Sequence, residues 1–197
     1  MRGGREAVLK AAIEIFARKG YAGASTREIC REAGVTKPVL YYHFRGKEHL
    51  YRELMIDSFG NYQKLLLSAA QTRGTLRERL VRMVQTDFRS TRDDPVRTMF
   101  LLRMVFSPGD QHPLFDIVKE MEKERDVIAR VLQEGIDSGI LKGNTRDLAT
   151  ALIGMQLIAT LEHLFTGRAT LTRRRAEKYV DVLLRGCTVR HDLDRSV

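Results

Sequence analysis

The sequence has little cysteine and little proline, and each shortage narrows the classes of protein it can encode. Its 197 residues include two cysteines, Cys30 and Cys187, which lie far apart and form no Cys-x-x-Cys pair. This spacing offers neither a disulfide framework nor a zinc site, and it suits the reducing cytoplasm. Only four prolines are present, and no segment shows the alternation of apolar and polar residues that is typical of strands. We therefore expect an all-α protein.

Long uninterrupted apolar runs are also missing. Charged residues break up the N-terminal segment, which does not have the form of a secretory signal peptide. The longest apolar-rich stretch, residues 148–165, contains Gln156, Glu162 and His163 and makes a poor membrane span. The sequence shows no nucleophile–base pair, metal-ligand cluster or phosphate-binding loop. It therefore predicts a cytoplasmic protein that is not an enzyme, uses no cofactor or metal, and has no membrane partner.

Positive charge is present in excess and is concentrated near the N-terminus. The net charge is +9, and residues 1–50 hold 10 Lys and Arg against 5 Asp and Glu. A basic chain favours an anionic partner such as nucleic acid. Because more than half of the excess charge lies in the first quarter of the chain, we expect phosphates to meet that part.

Apolar residues recur every three or four positions, which predicts helices along the whole chain. Gly20 is expected to end the first helix, and Pro38 is expected in the first turn of the third, where a missing N–H costs little. The nine predicted helices cover about residues 5–19, 26–33, 37–43, 47–71, 75–92, 95–106, 114–138, 145–166 and 172–187.

Residues 25–50 carry the most specific pattern in the chain. Two short helices flank a turn that contains Gly34, and a glycine there can adopt a left-handed backbone conformation. Ser25 or Thr26 is expected to cap the first helix, with Glu28 completing a capping box. This order of helix, glycine turn and short helix predicts a helix-turn-helix.

The helical register divides the residues of this motif between two faces. Thr36 is expected to cap the second helix. The residues expected to pack the two helices together are Ile29, Ala33, Val35 and Leu40. The residues expected to point outward are Lys37, Val39, Tyr41, Tyr42 and His43. Basic and aromatic side chains on a short exposed helix suit the major groove of DNA and its phosphates.

These residues resemble the DNA-binding domain of TetR-type (tetracycline-repressor-type) transcriptional regulators. The resemblance rests on Thr26-Arg27, the AGV turn at 33–35, the run PVLYYHF at 38–44 and Lys47. It covers residues 5–55, and the later helices resemble only the general layout of the family. The resemblance implies a three-helix DNA-binding domain at 1–50 and a ligand-sensing and dimerisation domain at 51–197. It also implies a ligand-responsive regulator, a repressor that a small apolar or amphipathic effector releases from its operator.

The resemblance assigns ten residues to contact with a double-stranded DNA operator. Thr26 and Arg27 are expected to meet the backbone or a base edge, and Lys47 is expected to pair with a phosphate beside a helix N-terminus. One of the two tyrosines could instead pack partly inward. The full set is Thr26, Arg27, Thr36, Lys37, Pro38, Val39, Tyr41, Tyr42, His43 and Lys47.

The eighth predicted helix is apolar on nearly all sides, so more than one surface must cover it. We expect the last two helices of two chains to form a four-helix bundle about a two-fold axis, as the resemblance also implies. The alternative is a monomer in which this helix is wholly interior. The residues assigned to the homodimer interface are Leu152, Gln156, Ala159, Val180, Leu183 and Leu184.

An effector pocket is expected among the fourth to eighth helices. Its candidate lining is Phe88, Met99, Phe100, Arg103, Met104, Phe115 and Met121. Such Met and Phe stripes are also typical of plain core. Arg103 lies on an apolar face, and three arrangements are open: it extends to water, it pairs with Asp87, or it lines the pocket and binds an anionic effector.

Other functions remain open at this stage. The chain could be a ligand-independent or activating DNA-binding regulator, a helical carrier of an apolar ligand, or a protein that uses its basic face to bind acidic proteins. A salt-dependent footprint on DNA near the protein's own gene separates these alternatives.

Overall fold

The computed structural model describes residues 2–108 and 111–187, and for Arg2 and Cys187 it describes the backbone alone. These residues contain nine helices and no strand. The helices are α1 (Arg2–Lys19), α2 (Thr26–Glu32), α3 (Lys37–His43), α4 (Lys47–Ala70), α5 (Leu76–Asp93), α6 (Pro95–Val105), α7 (Ile117–Asp137), α8 (Thr145–Thr166) and α9 (Arg173–Cys187).

The all-α prediction is confirmed, and each predicted helix has a counterpart that starts and ends within three residues of its expected bounds. Gly20 and Gly34 have the expected positive φ values of 72° and 65°. A side chain at either position would be strained, which explains why α1 and α2 end where they do.

The described residues form two compact units. Unit 1 comprises those of Met1–Asn61 and Asp93–Ile117, and unit 2 comprises those of Tyr62–Arg92 and Val118–Val197. The segment that contains α6 therefore packs with the helix-turn-helix, although the sequence placed it in the sensor domain. The predicted boundary between a DNA-binding and a sensor domain at residue 50 stays a prediction about function. The packing of the helices divides the chain after Asn61, Arg92 and Ile117 instead.

Unit 1 is built around a continuous apolar core with several aromatic rings. Phe16 of α1 stacks against Phe100 of α6, with ring centroids 6.1 Å apart, and meets Tyr51 of α4 edge-on. All three side chains are completely buried. This core holds α1, α4 and α6 together beneath the two short helices of the motif.

Unit 2 packs the second half of α4 with α5, α7, α8 and α9 around its own apolar core. Ion pairs link the helices at its edge. Arg77 of α5 makes a two-pronged contact with Asp181 of α9, at 2.6 and 3.0 Å, and Arg79 of α5 pairs with Glu134 of α7. These exposed pairs fix the helices laterally, while the apolar core supplies most of the stability.

Helix α8 is long and apolar enough to span a membrane by length and composition, the one such helix among the described residues. Only 28% of its most apolar window is buried within the chain. Much apolar surface on α8 is therefore exposed in the single chain.

Candidate DNA-binding and effector sites

The start of α2 is fixed by local hydrogen bonds. The Ser25 hydroxyl accepts a hydrogen bond from the Glu28 amide at 3.2 Å, as expected of an N-cap residue. The Glu28 carboxylate does not complete the predicted capping box. It binds the Lys19 ammonium at 2.6 Å instead, because the end of α1 lies beside it. The pKa of Glu28 is lowered, chiefly by this hydrogen bond.

The two motif helices pack through the residues that the sequence assigned to their inner faces. Ile29 and Leu40 are completely buried, and Ala33 and Val35 are partly buried against the same core. Cys30 is buried beside them, and burial raises the pKa of its thiol. These contacts orient α3 so that its other face points outward.

The outward face of α3 is polar and aromatic. Tyr41 is 53% exposed and Tyr42 is 75% exposed, so both rings reach the outer face, Tyr41 less fully than Tyr42. Leu40 and Phe44 fill the inward positions instead. Four of the other residues assigned to DNA contact are exposed: Arg27, Thr36, Lys37 and Pro38. Three more are half-buried: Thr26, Val39 and His43.

Thr36 stands at the N-cap of α3, where the sequence placed it, but its hydroxyl makes no capping hydrogen bond. The expected side-chain cap is therefore wrong, although the helix start is right. Pro38 in the first turn already removes one of the amide donors that a cap would satisfy. The Thr36 hydroxyl is therefore not engaged in holding the helix.

Lys47 has an internal role that the sequence did not predict. Its ammonium donates hydrogen bonds of 2.9 Å to the carbonyl oxygens of Tyr21 and Ala24, and it lies 4.2 Å from the centre of the Tyr21 ring. Burial lowers its pKa. Since two of its three donors are used within the chain, Lys47 joins the start of α4 to the turn after α1. Its contact with a phosphate stays a prediction.

The residues assigned to the effector pocket are divided between the two units. Phe88 and Met121 belong to unit 2, and the other five belong to unit 1. Phe88 is buried in the core of unit 2, and Met121 is 46% exposed. In unit 1, Phe100 and Met104 are buried core residues, and Met99 and Phe115 are partly buried against that core. The alternative that these stripes are plain core accounts for Phe88, Phe100 and Met104.

Arg103 lies at the surface of unit 1. Its side chain is exposed, and its guanidinium donates a hydrogen bond of 2.8 Å to the Arg18 carbonyl oxygen. Asp87 is not its partner either, because Asp87 hydrogen-bonds Tyr62 and Gln156 within unit 2. Arg103 stands near the end of α6, where a long side chain can extend past its apolar neighbours to water, as the first alternative proposed.

Most of the residues assigned to the homodimer interface lie on the inner faces of α8 and α9. Five of the six are buried inside unit 2, namely Leu152, Gln156, Ala159, Val180 and Leu183, while Leu184 is half-buried. The large apolar side chains that α8 and α9 expose are Ile158, Phe165 and Val182. Because α8 is apolar on nearly every side, its sequence could not indicate which face turns inward.

Four polar side chains that meet inside unit 2 were missed as a group by sequence reasoning. The Tyr62 hydroxyl donates to the Glu124 carboxylate at 2.9 Å and also hydrogen-bonds Asp87, to which the Gln156 amide donates. We call Tyr62, Asp87, Glu124 and Gln156 the polar cluster. Burial raises the pKa of Asp87 to about 6 and that of Glu124 to about 7. No spacing in the sequence connects these four positions.

The helix-turn-helix region matches a known family. Residues 8–54 match the model of the bacterial regulatory proteins of the TetR family. The chain carries the DNA-binding domain of the TetR family. It is therefore a transcription regulator and not an enzyme, as the sequence predicted.

Relatives of this chain include a transcriptional repressor and a transcriptional activator. It is 29% identical to the transcriptional repressor KstR2 of Mycolicibacterium smegmatis over 68% of this chain and 66% of that protein. It is 38% identical to the transcriptional activator FasR of the same species, over 43% of this chain and 38% of that protein. In both cases the match spans less than two thirds of the relative.

The fold as a whole is also that of a solved structure. The fatty acid degradation regulator FadR from Bacillus halodurans matches with a TM-score of 0.80, over 93% of this chain and 95% of that one. The two sequences are 19% identical, so the likeness concerns the arrangement of the helices.

Proposed function

We propose that the chain is a cytoplasmic repressor that binds a double-stranded DNA operator as a homodimer and leaves it when a small effector binds. One observation carries the DNA-binding part: α3 exposes Lys37, Tyr41 and Tyr42, while Leu40 and Phe44 anchor the helix in the core of unit 1. A firmly anchored helix with a basic and aromatic outer face has the form of a recognition helix in the major groove.

The DNA contacts have separate roles in this proposal. Lys37, Pro38 and Val39 stand at the start of α3 and face base edges. Arg27 and the Thr36 hydroxyl, which makes no capping hydrogen bond, meet phosphates or sugars. Tyr41, Tyr42 and His43 contact bases or phosphates further along the helix. Lys47 uses its remaining donor for a phosphate and also holds the motif in place.

The homodimer forms through the outer faces of α8 and α9. Ala151, Gly154, Ile158 and Phe165 follow one another along α8 at spacings that place them on one stripe. A Cβ built on Gly154 meets no atom within 4 Å, so that position is open in the single chain. Two such stripes bury apolar surface that a lone chain exposes. We expect the two recognition helices to lie about 34–36 Å apart when bound to DNA.

Effector binding in unit 2 reaches the DNA-binding helices through the covalent chain. The chain passes between the units three times, after Asn61, Arg92 and Ile117. Both α4 and α5 contribute residues to each unit. An effector that favours one arrangement of these helices in unit 2 changes the affinity for DNA by a coupling free energy of about 1–3 kcal/mol.

A footprint on the DNA upstream of the protein's own gene tests the proposal. We expect protection of two half-sites whose centres lie about one helical turn apart, weakening as salt is raised. In the same assay Lys37→Ala should alter the preferred bases while the protein stays folded. A folded protein that protects no DNA at low salt would contradict the proposal.

An activator is the second candidate, favoured by the match to FasR over 84 residues. Deletion of the gene distinguishes the two. Transcription from the footprinted promoter rises in the deletion strain if the protein is a repressor, and it falls if the protein is an activator.

A further inference from the structure

Each residue of the polar cluster comes from a different helix of unit 2. Tyr62 lies on α4, Asp87 on α5, Glu124 on α7 and Gln156 on α8. The packing of four helices therefore brings four polar side chains to one place beside the apolar core, where Gln156 is buried and the other three are half-buried. An occupant of this place would contact four helices at once.

The cluster contains more hydrogen-bond acceptors than donors. The Tyr62 hydroxyl contacts both carboxyl groups, yet it has a single proton to donate. The other donor is the Gln156 amide, which serves Asp87. Ionised carboxylates only accept hydrogen bonds, so Asp87 and Glu124 keep unused acceptor capacity.

Gln156 supplies a second, independent sign of an absent partner. The residue is 4% exposed, and its Oε1 atom has no hydrogen-bond partner. Its amide group donates to Asp87, so the side chain is directed into the cluster. A buried amide oxygen without a donor is uncommon in folded proteins and calls for an explanation.

The two carboxyl groups also lack a neighbouring cation. Within residues 2–108 and 111–187, neither Asp87 nor Glu124 forms an ion pair with Lys, Arg or His. Surface acids on the same helix are paired, as Glu122 is with Arg125 at 3.4 Å. The raised pKa values of Asp87 and Glu124 agree with an interior that lacks a compensating positive charge.

We propose that the polar cluster binds the head group of the effector and that this head group is a protonated amine on an apolar body. The inference rests on the proposed function, because it names the chemistry of the effector. An ammonium group brings one positive charge and three donors, which match the two carboxylates and the Gln156 amide oxygen. Met155, next to Gln156 in the sequence, is partly buried against the apolar core of unit 2 and provides apolar surface for the body.

The proposal gives the effector a positive charge. One of the three arrangements open for Arg103 in the sequence had given it a negative charge. A carboxylate in the effector would lie beside two protein carboxylates and repel them. A neutral alcohol brings one donor and no charge, so its affinity should lie between that of the amine and that of the carboxylate.

Three probes with one alkyl chain and different head groups test the proposal: octylamine, octanol and octanoate. Binding to the full chain is measured by isothermal titration calorimetry at pH 8, where both carboxyls are ionised and the amine is protonated. We expect octylamine to bind at least tenfold more tightly than octanol, and octanoate to bind most weakly. Octanoate binding as tightly as octylamine, or no binding of any probe, would overturn the proposal.

Charge-neutralising variants locate the site. Asp87→Asn and Glu124→Gln should each weaken octylamine binding at least tenfold and change octanol binding less than threefold. Glu122→Gln is the matched control on α7, because its exposed carboxylate is paired at the surface, and it should bind octylamine like the wild type. Equal losses in Glu122→Gln and Glu124→Gln would overturn the assignment. Circular dichroism checks that every variant is folded.

Binding to the footprinted DNA is measured in the same samples, so that the two proposals can fail separately. Release of DNA by octanoate but not by octylamine would overturn the amine assignment and leave the effector-responsive regulator intact. A folded chain that binds octylamine as expected but binds no DNA would overturn the proposed function and leave the amine site intact.

Discussion

Unit 1 and unit 2 use their polar residues in opposite ways. Unit 1 buries an aromatic core and keeps polar side chains such as Lys37 and Tyr42 on its outer face. Unit 2 partly buries Asp87 and Glu124 among its helices and leaves apolar side chains of α8 outside. A surface that binds a large polyanion needs a rigid apolar core beneath it. A site for a small molecule needs polar groups whose hydrogen-bonding capacity the protein itself leaves unused.

The largest expected effect is on the free energy of unfolding, and it tests the buried face of α3 in unit 1. Leu40→Ala removes a completely buried side chain from α3, and we expect it to lower the free energy of unfolding by about 3 kcal/mol. Tyr42→Ala, two residues further along the helix, should change that free energy by less than about 0.5 kcal/mol, because Tyr42 is 75% exposed. Urea denaturation measures both. Equal destabilisation by the two substitutions would mean that the inner and outer faces of α3 are wrongly assigned.

The second effect concerns the apolar surface outside unit 2. Ile158→Glu places a charge on the exposed stripe of α8, and we expect the dimer dissociation constant to rise about a hundredfold, which is about 2.7 kcal/mol. Ile140→Glu is the matched control, since Ile140 is 55% exposed but lies beyond the end of α7. Sedimentation equilibrium measures the association. A wild-type monomer at micromolar concentration, or dimers unaffected by Ile158→Glu, would reject this interface.

The third effect concerns the pH dependence of unit 2. Burial raises the pKa of Glu124 to about 7, so between its ordinary pKa and pH 7 the folded state binds more protons than the unfolded state. The folded state therefore loses stability as pH rises through that window. We expect Glu124→Gln to be more stable than the wild type by about 2 kcal/mol at pH 8 and to have no advantage near pH 4.

Urea denaturation across this pH range, without any ligand, measures the difference between Glu124→Gln and the wild type. Glu134→Gln is the comparison on the same helix, because the Arg79 guanidinium lowers the pKa of Glu134. It should lose stability at pH 8 relative to the wild type. A constant offset between Glu124→Gln and the wild type at all pH values would show that burial does not perturb Glu124.

The smallest expected change in the free energy of unfolding concerns Arg103. Its exposed guanidinium makes one hydrogen bond to the Arg18 carbonyl, so Arg103→Met should change the free energy of unfolding by less than about 1 kcal/mol. Octylamine binding should be unchanged, since Arg103 belongs to unit 1 and the polar cluster to unit 2. Loss of effector binding in this variant would restore Arg103 as a ligand anchor.

The sequence was sufficient where the information is local. Helix periodicity, Gly20 and Gly34 predicted where the first helices end, and the register of α3 predicted that Leu40 is inward and Tyr42 outward. Such features depend on residues a few positions apart, which a single sequence displays.

The sequence failed where the outcome depends on distant partners. Periodicity could not orient α8, because a helix that is apolar all round has no distinctive inner face, and the dimer residues were placed on its buried side. The polar cluster joins positions 62, 87, 124 and 156, which only tertiary packing brings together. The internal role of Lys47 was missed because its carbonyl partners, on Tyr21 and Ala24, lie more than 20 residues away in the sequence.

The most direct test of the account is the affinity for the footprinted DNA as a function of salt concentration, measured by fluorescence anisotropy for the wild type and Tyr42→Ala. We predict that wild-type affinity falls steeply with salt, by about one logarithmic unit per tenfold rise in salt for each phosphate contact. Tyr42→Ala, with unchanged stability, should bind at least tenfold more weakly at every salt concentration. Salt-independent binding, or equal affinity of the two proteins, would contradict the claim that the outer face of α3 reads DNA.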